Sequence, residues 1–319
     1  MEMIASALIC SVLVLCLSHL CHPLSVDYYE KKCPKAEAAV TDSVKQAMAS
    51  DNTVPAALLR MHFHDCFIRG CDASVLLNST KNNAAEKVGP PNVSLHAFYV
   101  IDSAKKAVEE LCPGVVSCAD ILALAARDAV ALSGGPTWDV PKGRKDGRVS
   151  KATDTRQLPF PTFNFAQLHQ SFSQRGLTVE DLVALSGGHT LGFAHCSSFE
   201  KRIHNFNSTH DVDPSMHPSF AANLQRVCPV NNKAKTAGTT MDTTPVKFDN
   251  AYYKLLGKGK GLFLSDAALM TDSKAKALVL KFAGSDEEFR EAFVKSMIRM
   301  SGLGGGGGVE VRLDCKVVR

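Results

Sequence analysis

The segment from Leu58 to Phe67 constrains this chain most, because it places charged groups within an apolar run. If the segment is helical, Arg60 and His64 lie at positions i and i+4 on one face, with Phe63 beside them. A permanent cation, a group that titrates near neutrality and an apolar wall then meet at one point. Such a trio can move a proton and stabilise developing negative charge. For His64 taken alone, the alternative is a core histidine with satisfied hydrogen bonds.

The residues directly after this run predict a calcium-binding loop. Two cysteines can close a small ring around Gly70, and Asp65, Asp72 and Ser74 place oxygen atoms beside it. Calcium in proteins prefers carboxylates, hydroxyls and loop carbonyls as ligands. We therefore expect a cation next to His64.

The N-terminal segment indicates export. Residues from Ile4 to Leu17 are mostly apolar, too short to span a bilayer comfortably, and have the size of a signal-peptide core. We predict a signal peptide over residues 1–22, with cleavage between 18 and 25, and no membrane contact in the mature chain. The segment lacks the usual basic flank, and an uncleaved buried helix is the alternative.

Cysteine usage agrees with export. Of the 11 cysteines, Cys10, Cys16 and Cys21 fall in the segment expected to be removed, which leaves eight. An even number in an exported chain indicates disulfides, but eight cysteines permit 105 pairings, so the residues alone do not select one. Sequons at Asn78 and Asn207 are typical of an exported glycoprotein.

Helical patterns dominate the rest of the chain and predict an all-α fold with about ten or more helices. Apolar residues recur at three-to-four spacing over residues 36–48, 97–111, 118–132, 165–175, 180–186 and 289–300. Residues 138–148 are a candidate for a short ribbon, residues 309–313 resemble a strand, and residues 231–244 form a polar loop. The net charge of +4 is scattered, which does not indicate a nucleic-acid partner.

A second histidine follows two glycines in the sequence Gly187-Gly188-His189-Thr190. The glycines remove side-chain bulk, so that a flat and wide group can approach the histidine. Taken alone this motif is weak, and a packed helix end with a buried histidine explains it equally well.

Together the two segments carry a family resemblance. The string RMHFHDCFIRGCDAS, from Arg60 to Ser74, resembles the distal-haem signature of the plant secretory (class III) haem peroxidases, and the His189 segment resembles their proximal-haem motif. The resemblance spans about residues 25–319. It implies the haem peroxidase fold over residues 24–319, with haem b between two helical lobes and four disulfides. The distal lobe would comprise mainly the N-terminal part and the C-terminal end, and the proximal lobe about residues 160–300.

The resemblance also implies the roles of individual residues. The implied catalytic residues are His64, Arg60 and Asn92, and those that bind or orient the haem are His189, Asp266 and Phe63. His189 would ligate the iron, and Asp266 would hold its second nitrogen, as metal-bound imidazoles require. Without the resemblance, Asp266 would be interpreted as a surface aspartate or a helix cap. Asn92 would orient His64 in a buried pocket, which argues against a glycan on its sequon, and Pro159 would bind aromatic donors.

Calcium ligands and disulfides follow from the same resemblance. The implied distal set is Asp65, Ile68, Gly70, Asp72, Ser74 and Glu86. The implied proximal set is Thr190, Asp242, Thr244, Lys247 and Asp249. Asp242 precedes Thr244 by two residues where three is usual, so we expect altered geometry; the alternative is a polar loop with solvated aspartates. The implied disulfides are Cys33–Cys112, Cys66–Cys71, Cys118–Cys315 and Cys196–Cys228.

The expected function is that of a secreted, extracellular and monomeric peroxidase, with H₂O₂ and small phenolic donors as substrates, weak contact with wall polysaccharide, and no nucleic acid. The expected reaction is H₂O₂ + 2 AH → 2 H₂O + 2 A•, as in lignin-type cross-linking of wall phenolics. The chain departs from the family at His96-Ala97, where an arginine–glycine pair is usual, and at Ser198, where some relatives carry phenylalanine. The alternative is a non-catalytic wall-binding or calcium-binding protein on the same scaffold, which would lose a haem-site residue; none is missing.

Overall fold

Helices make up most of the fold, as the apolar spacing predicts. The computed structural model describes residues 24–230, 236–304 and 308–319, so the predicted signal peptide lies outside the described residues. Within those ranges the helices are α1 (Ala36–Ser50), α2 (Val54–Arg69), α3 (Phe98–Leu111), α4 (Cys118–Leu132), α5 (Phe165–Ser173), α6 (Val179–Ser186), α7 (Glu200–Ile203), α8 (Pro218–Val227), α9 (Ala251–Leu256), α10 (Leu264–Ala268), α11 (Ser273–Gly284) and α12 (Asp286–Ser301).

Sheet structure differs from the sequence expectation. The described residues contain one small sheet, in which β1 (Phe193–His195) pairs antiparallel with β2 (Gly238–Thr240). The segment 138–148 forms no strand and makes only isolated bridges, Ser25 with Lys142 and Asp146 with Glu310. The ribbon prediction was therefore wrong, and β2 lies in the segment interpreted as a polar loop. Strands of three residues are too short to produce a detectable alternation of apolar and polar residues.

Helix α2 carries the first candidate site and is fixed on three sides. It packs against α4, α1 and the end of α12, and its inward side chains Leu58, Met61 and Phe67 are fully buried. Each such side chain stabilises the fold by about 1.5–3 kcal/mol. Proline in the first turn and Gly70 (φ 84°) after the last residue delimit the helix. The remaining face of α2 is left for Arg60 and Phe63, which contribute to the site.

Four disulfides pair the cysteines as the resemblance implies. Cys118–Cys315 joins positions 197 residues apart and ties the C-terminal end to the start of α4. A loop that long contributes roughly 3–5 kcal/mol on the chain-entropy estimate. Asp146 reinforces this junction by accepting hydrogen bonds from the backbone amides of Cys118, Ala119 and Arg312.

Within the described ranges, the structure contains no helix with the length and apolar character needed to span a bilayer.

Candidate active site

The buried histidine of α2 is oriented by a neighbouring loop. His64 is 6% exposed, and its Nδ1 lies 2.5 Å from Asn92 Oδ1. Because an amide oxygen only accepts, the proton belongs on Nδ1 and the lone pair on Nε2. Burial, together with the charge of Arg60, lowers the pKa of His64 to about 3. The ring is therefore neutral at physiological pH, and Nε2 is free to act as a base.

Arg60 is held by the loop that carries Asn92. Its Nη1 donates to Ser94 Oγ at 3.0 Å and its Nη2 to the Pro91 carbonyl at 2.7 Å. Part of the side chain is exposed, but desolvation of the guanidinium by the surrounding protein lowers its pKa to about 10. The guanidinium therefore remains charged at neutral pH. Phe63 lies edge-on to His64, with ring centroids 5.9 Å apart, and forms the apolar wall expected from the spacing.

The second histidine is also fixed through Nδ1. His189 lies in a 3₁₀ turn directly after α6, and its Nδ1 lies 2.9 Å from Asp266 Oδ1. Burial alone would raise the pKa of Asp266, but His189 and the hydrogen bonds to the carboxylate lower it. Asp266 Oδ2 also accepts from the Phe263 amide at the start of α10. The carboxylate is thus both a helix cap and the partner of His189, whereas its burial excludes the surface aspartate that the sequence left open.

The residues around His189 suit an axial ligand of a haem. Its side chain is 40% exposed although Asp266 beside it is 2% exposed, and the rings of Tyr252 and Phe263 stand edge-on to it. With Nδ1 engaged by a carboxylate, Nε2 is the atom left to bind iron, and its orientation is fixed. These features fit a haem ligated by His189.

The two glycines before His189 face different parts of the structure. A Cβ on Gly188 would lie 3.3 Å from Leu59 Cδ2, so the two histidine-bearing segments approach each other there. Gly187 instead faces the core, where a Cβ would lie 2.4 Å from both Phe289 Cε2 and the Tyr253 hydroxyl. The absence of a side chain at Gly187 is therefore required by core packing rather than by access to a flat ligand.

A cluster of buried carboxylates lies directly behind His64. Asp65, Asp72 and Glu86 are all buried, and within the described residues neither carboxylate oxygen of Glu86 has a hydrogen-bond partner. Burial, with repulsion between the carboxylates, raises the pKa of Asp65 well above its usual range and that of Glu86 to about 8. Ser74 Oγ is also buried and has no hydrogen-bond partner among the residues that the structure describes. A divalent cation would stabilise all of these oxygens, so the donor set fits calcium. The remaining expected ligands are the carbonyls of Ile68, in the last turn of α2, and of Gly70, directly after the helix.

A second group of oxygen atoms lies beside His189. Thr190 Oγ1 donates to Asp242 Oδ2 at 2.7 Å, and Thr244 Oγ1 donates to Asp249 Oδ1 at 3.0 Å. Burial, with repulsion from Asp249, raises the pKa of Asp242. The amide of Lys247 donates to the Thr244 carbonyl, which closes the turn. The four side chains therefore converge despite the shortened spacing, and the donor set fits a second calcium ion.

Four further positions concern the expected donor site and the departures of this chain from the family. Pro159 is half-buried after the turn Ala152–Gln157, and Ser198 is half-buried after β1. Ala97 precedes α3 with φ 62°, a left-handed conformation that glycine adopts without steric cost. The departure at this position therefore affects the entry into α3. Exposed His96 contacts Thr53 Oγ1 at 2.9 Å.

Two residues of the site were not found from the sequence. Ser94 holds Arg60, and Tyr252 donates to Asp266 at 2.9 Å. Ser94 was noted only as part of a sequon, and Tyr252 lies in a short helix among other buried aromatic residues. Neither carries a local pattern that separates it from a packing or surface residue.

Comparison with known proteins assigns the chain to a family. A sequence model of the family described as Peroxidase matches residues 40–285. The chain is 67% identical to Peroxidase 64 and 54% identical to Peroxidase 66 of Arabidopsis thaliana, over 93% and 92% of both proteins, respectively. It is 45% identical to Peroxidase 5 of Vitis vinifera, over 95% of this chain and 94% of the relative. The chain therefore belongs to the peroxidase family and is a peroxidase of the plant secretory (class III) group.

Proposed function

We propose that this peroxidase binds haem b between a distal and a proximal lobe, reduces H₂O₂, and oxidises small phenolic donors by one-electron steps. The observation that supports this most strongly is the matched orientation of two histidines. His64 has its Nδ1 on Asn92 and His189 has its Nδ1 on Asp266, so each keeps Nε2 for chemistry. One neutral base and one carboxylate-backed ligand are the two different imidazoles that such a reaction needs.

When bound, the haem supplies the electron transfers to peroxide and from the donors. His64 Nε2 accepts the proton of one peroxide oxygen and delivers it to the departing oxygen, because its low pKa keeps the ring unprotonated until peroxide arrives. Arg60 stabilises the negative charge that develops on the departing oxygen, because its guanidinium is charged and Arg60 lies on the same face of α2 as His64. His189, oriented by Asp266, would ligate the iron through Nε2.

Donor binding and cellular context follow from the same proposal. Phenolic donors would reach the rim near Pro159, with Ser198 affecting the shape of that rim. Removal of residues 1–22 would deliver an extracellular monomer, with glycans at exposed Asn78 and Asn207 and weak contact with wall polysaccharide. Wall phenolic cross-linking of the lignin type is the physiological reaction we propose.

A direct assay tests this function. The purified, haem-loaded chain should oxidise a simple phenol in a manner that requires H₂O₂, with two phenol radicals formed per peroxide consumed. A panel of phenolic donors then ranks the substrates. Absence of both a Soret band and peroxide-dependent oxidation would favour the non-catalytic alternative.

Removal of calcium should lower both activity and thermal stability. At a calcium concentration 100-fold above Kd, each site stabilises the fold by about 2.7 kcal/mol, which corresponds to a shift in Tm on the order of 4 °C per site for a chain of this size. Activity should fall because Asp65 directly follows His64, and small displacements of a catalytic group are costly. Metal analysis should find two calcium ions per chain, and chelation followed by calorimetry measures the loss. One tightly held ion would mean that the shortened Asp242–Thr244 spacing has destroyed the proximal site, and none would contradict both assignments.

A further inference from the structure

Asp266 is shared between His189 and a buried tyrosine. His189 Nδ1 and the Tyr252 hydroxyl both lie 2.9 Å from the same oxygen, Asp266 Oδ1. The other oxygen, Oδ2, is occupied by the Phe263 amide at 2.8 Å. Tyr252 and Asp266 are each 2% exposed, so bulk water does not compete for these hydrogen bonds. One carboxylate oxygen therefore accepts hydrogen bonds from two donors.

Tyr252 can act here only as a hydrogen-bond donor. A carboxylate oxygen only accepts hydrogen bonds, so the Tyr252 hydroxyl is the donor to Asp266 Oδ1. A carboxylate that accepts an additional hydrogen bond is a weaker base, because the donor stabilises its charged form. The hydrogen bond from Tyr252 therefore weakens the hydrogen bond between Asp266 and the Nδ1 proton of His189.

We propose that Tyr252 is a positioning residue that sets how strongly Asp266 polarises His189. This inference rests on the proposed role of His189 as the iron ligand. The partner of the second imidazole nitrogen fixes the ring orientation and raises the basicity of the ligand, and the basicity of the axial ligand tunes the reduction potential of the iron. The Tyr252 ring also stands edge-on to His189, at 85° and 5.7 Å between centroids, which restricts rotation of the imidazole.

The chain offers a matched control in the next residue. Tyr253 is also fully buried in α9, but its hydroxyl donates to the Val183 carbonyl at 2.8 Å. Tyr253→Phe therefore removes a buried tyrosine hydroxyl from the same helix and leaves the hydrogen bonds of Asp266 unchanged. Any effect common to the two phenylalanine variants reflects packing rather than polarisation of His189.

The test measures the ferric–ferrous midpoint potential and the iron–histidine stretching frequency of the haem-loaded protein. In Tyr252→Phe, we expect a more negative potential and a higher stretching frequency, because Asp266 becomes a stronger base. Tyr253→Phe should match the unmodified protein. Site-specific 3-fluorotyrosine at position 252 keeps the ring and makes the hydroxyl a stronger donor, so it should shift both quantities in the opposite direction. It also provides the test if Tyr252→Phe does not fold.

Three results would overturn the inference: no shift in Tyr252→Phe, equal shifts in both phenylalanine variants, or a fluorotyrosine shift in the same direction as phenylalanine. His189→Ala separates this failure from failure of the proposed site. If the iron–histidine band is lost in His189→Ala and unchanged in Tyr252→Phe, only the role of the tyrosine is refuted. If the band survives in His189→Ala, the ligand assignment and the role of Tyr252 both fail.

Discussion

Replacing His64 with alanine should slow the reaction of the haem-loaded enzyme with H₂O₂ by about 10²–10⁴-fold, the usual contribution of a general acid–base group. The neutral ring has a free Nε2, and no other imidazole takes its place on that face of α2. His62 is buried on another face of the helix and contacts Ser301 Oγ at 2.7 Å. Stopped-flow mixing with peroxide, followed in the Soret region, measures this step separately from the reaction with phenol.

An orientation variant provides the control for His64. Asn92→Ala keeps the base but removes the acceptor of its Nδ1 proton, so the peroxide step should slow by less than in His64→Ala. Exposed His96, which contacts Thr53, provides a second control: His96→Ala removes an imidazole outside the proposed catalytic set and should leave the peroxide rate unchanged. A His64→Ala enzyme that reacts with peroxide at the original rate would exclude His64 as the base.

Replacing Arg60 with leucine should slow the peroxide step by about 10²–10³-fold, the typical cost of removing one group that stabilises a developing oxyanion. Later reduction by phenol should change much less, because the charge that Arg60 stabilises develops only while the O–O bond breaks. Separate stopped-flow measurements of the peroxide and phenol steps distinguish the two effects.

Lysine at position 60 is the informative control for that variant. Arg60→Lys keeps the positive charge but loses the forked geometry that engages both Ser94 Oγ and the Pro91 carbonyl. We expect a peroxide rate between those of the arginine and leucine enzymes. Impairment of only the phenol steps in Arg60→Leu would place this residue in donor binding and refute the proposed role.

The sequence predicted local features of the fold better than long-range contacts. Helices α1, α3 and α4 could be predicted because apolar residues recur at three-to-four spacing over residues 36–48, 97–111 and 118–132. The sheet between β1 and β2 could not, because each strand has only three residues and pairing is set by distant parts of the chain. Gly187 was assigned to ligand access, whereas its contacts with Phe289 and Tyr253 depend on tertiary packing.

The same difference between local patterns and long-range contacts holds for the candidate site. The i, i+4 spacing on α2 indicated Arg60 and His64 without any family knowledge. Asp266 lies 77 residues from His189 and resembles an ordinary helix cap, so only the family resemblance indicated its partner. Tyr252 had no sequence signal at all, because its hydroxyl acquires a role only when α9 and α10 place it against Asp266.

The central claim is that His189 binds the haem iron and His64 acts on peroxide. The most direct test is the haem content of purified His189→Ala and His64→Ala, measured from the Soret absorbance per chain. We expect His189→Ala to lose most of its haem and His64→Ala to retain it, because of these two histidines it is His189 that has a carboxylate on Nδ1 and a partly exposed side chain. Equal loss of haem in both variants, or loss in His64→Ala alone, would contradict the assignment.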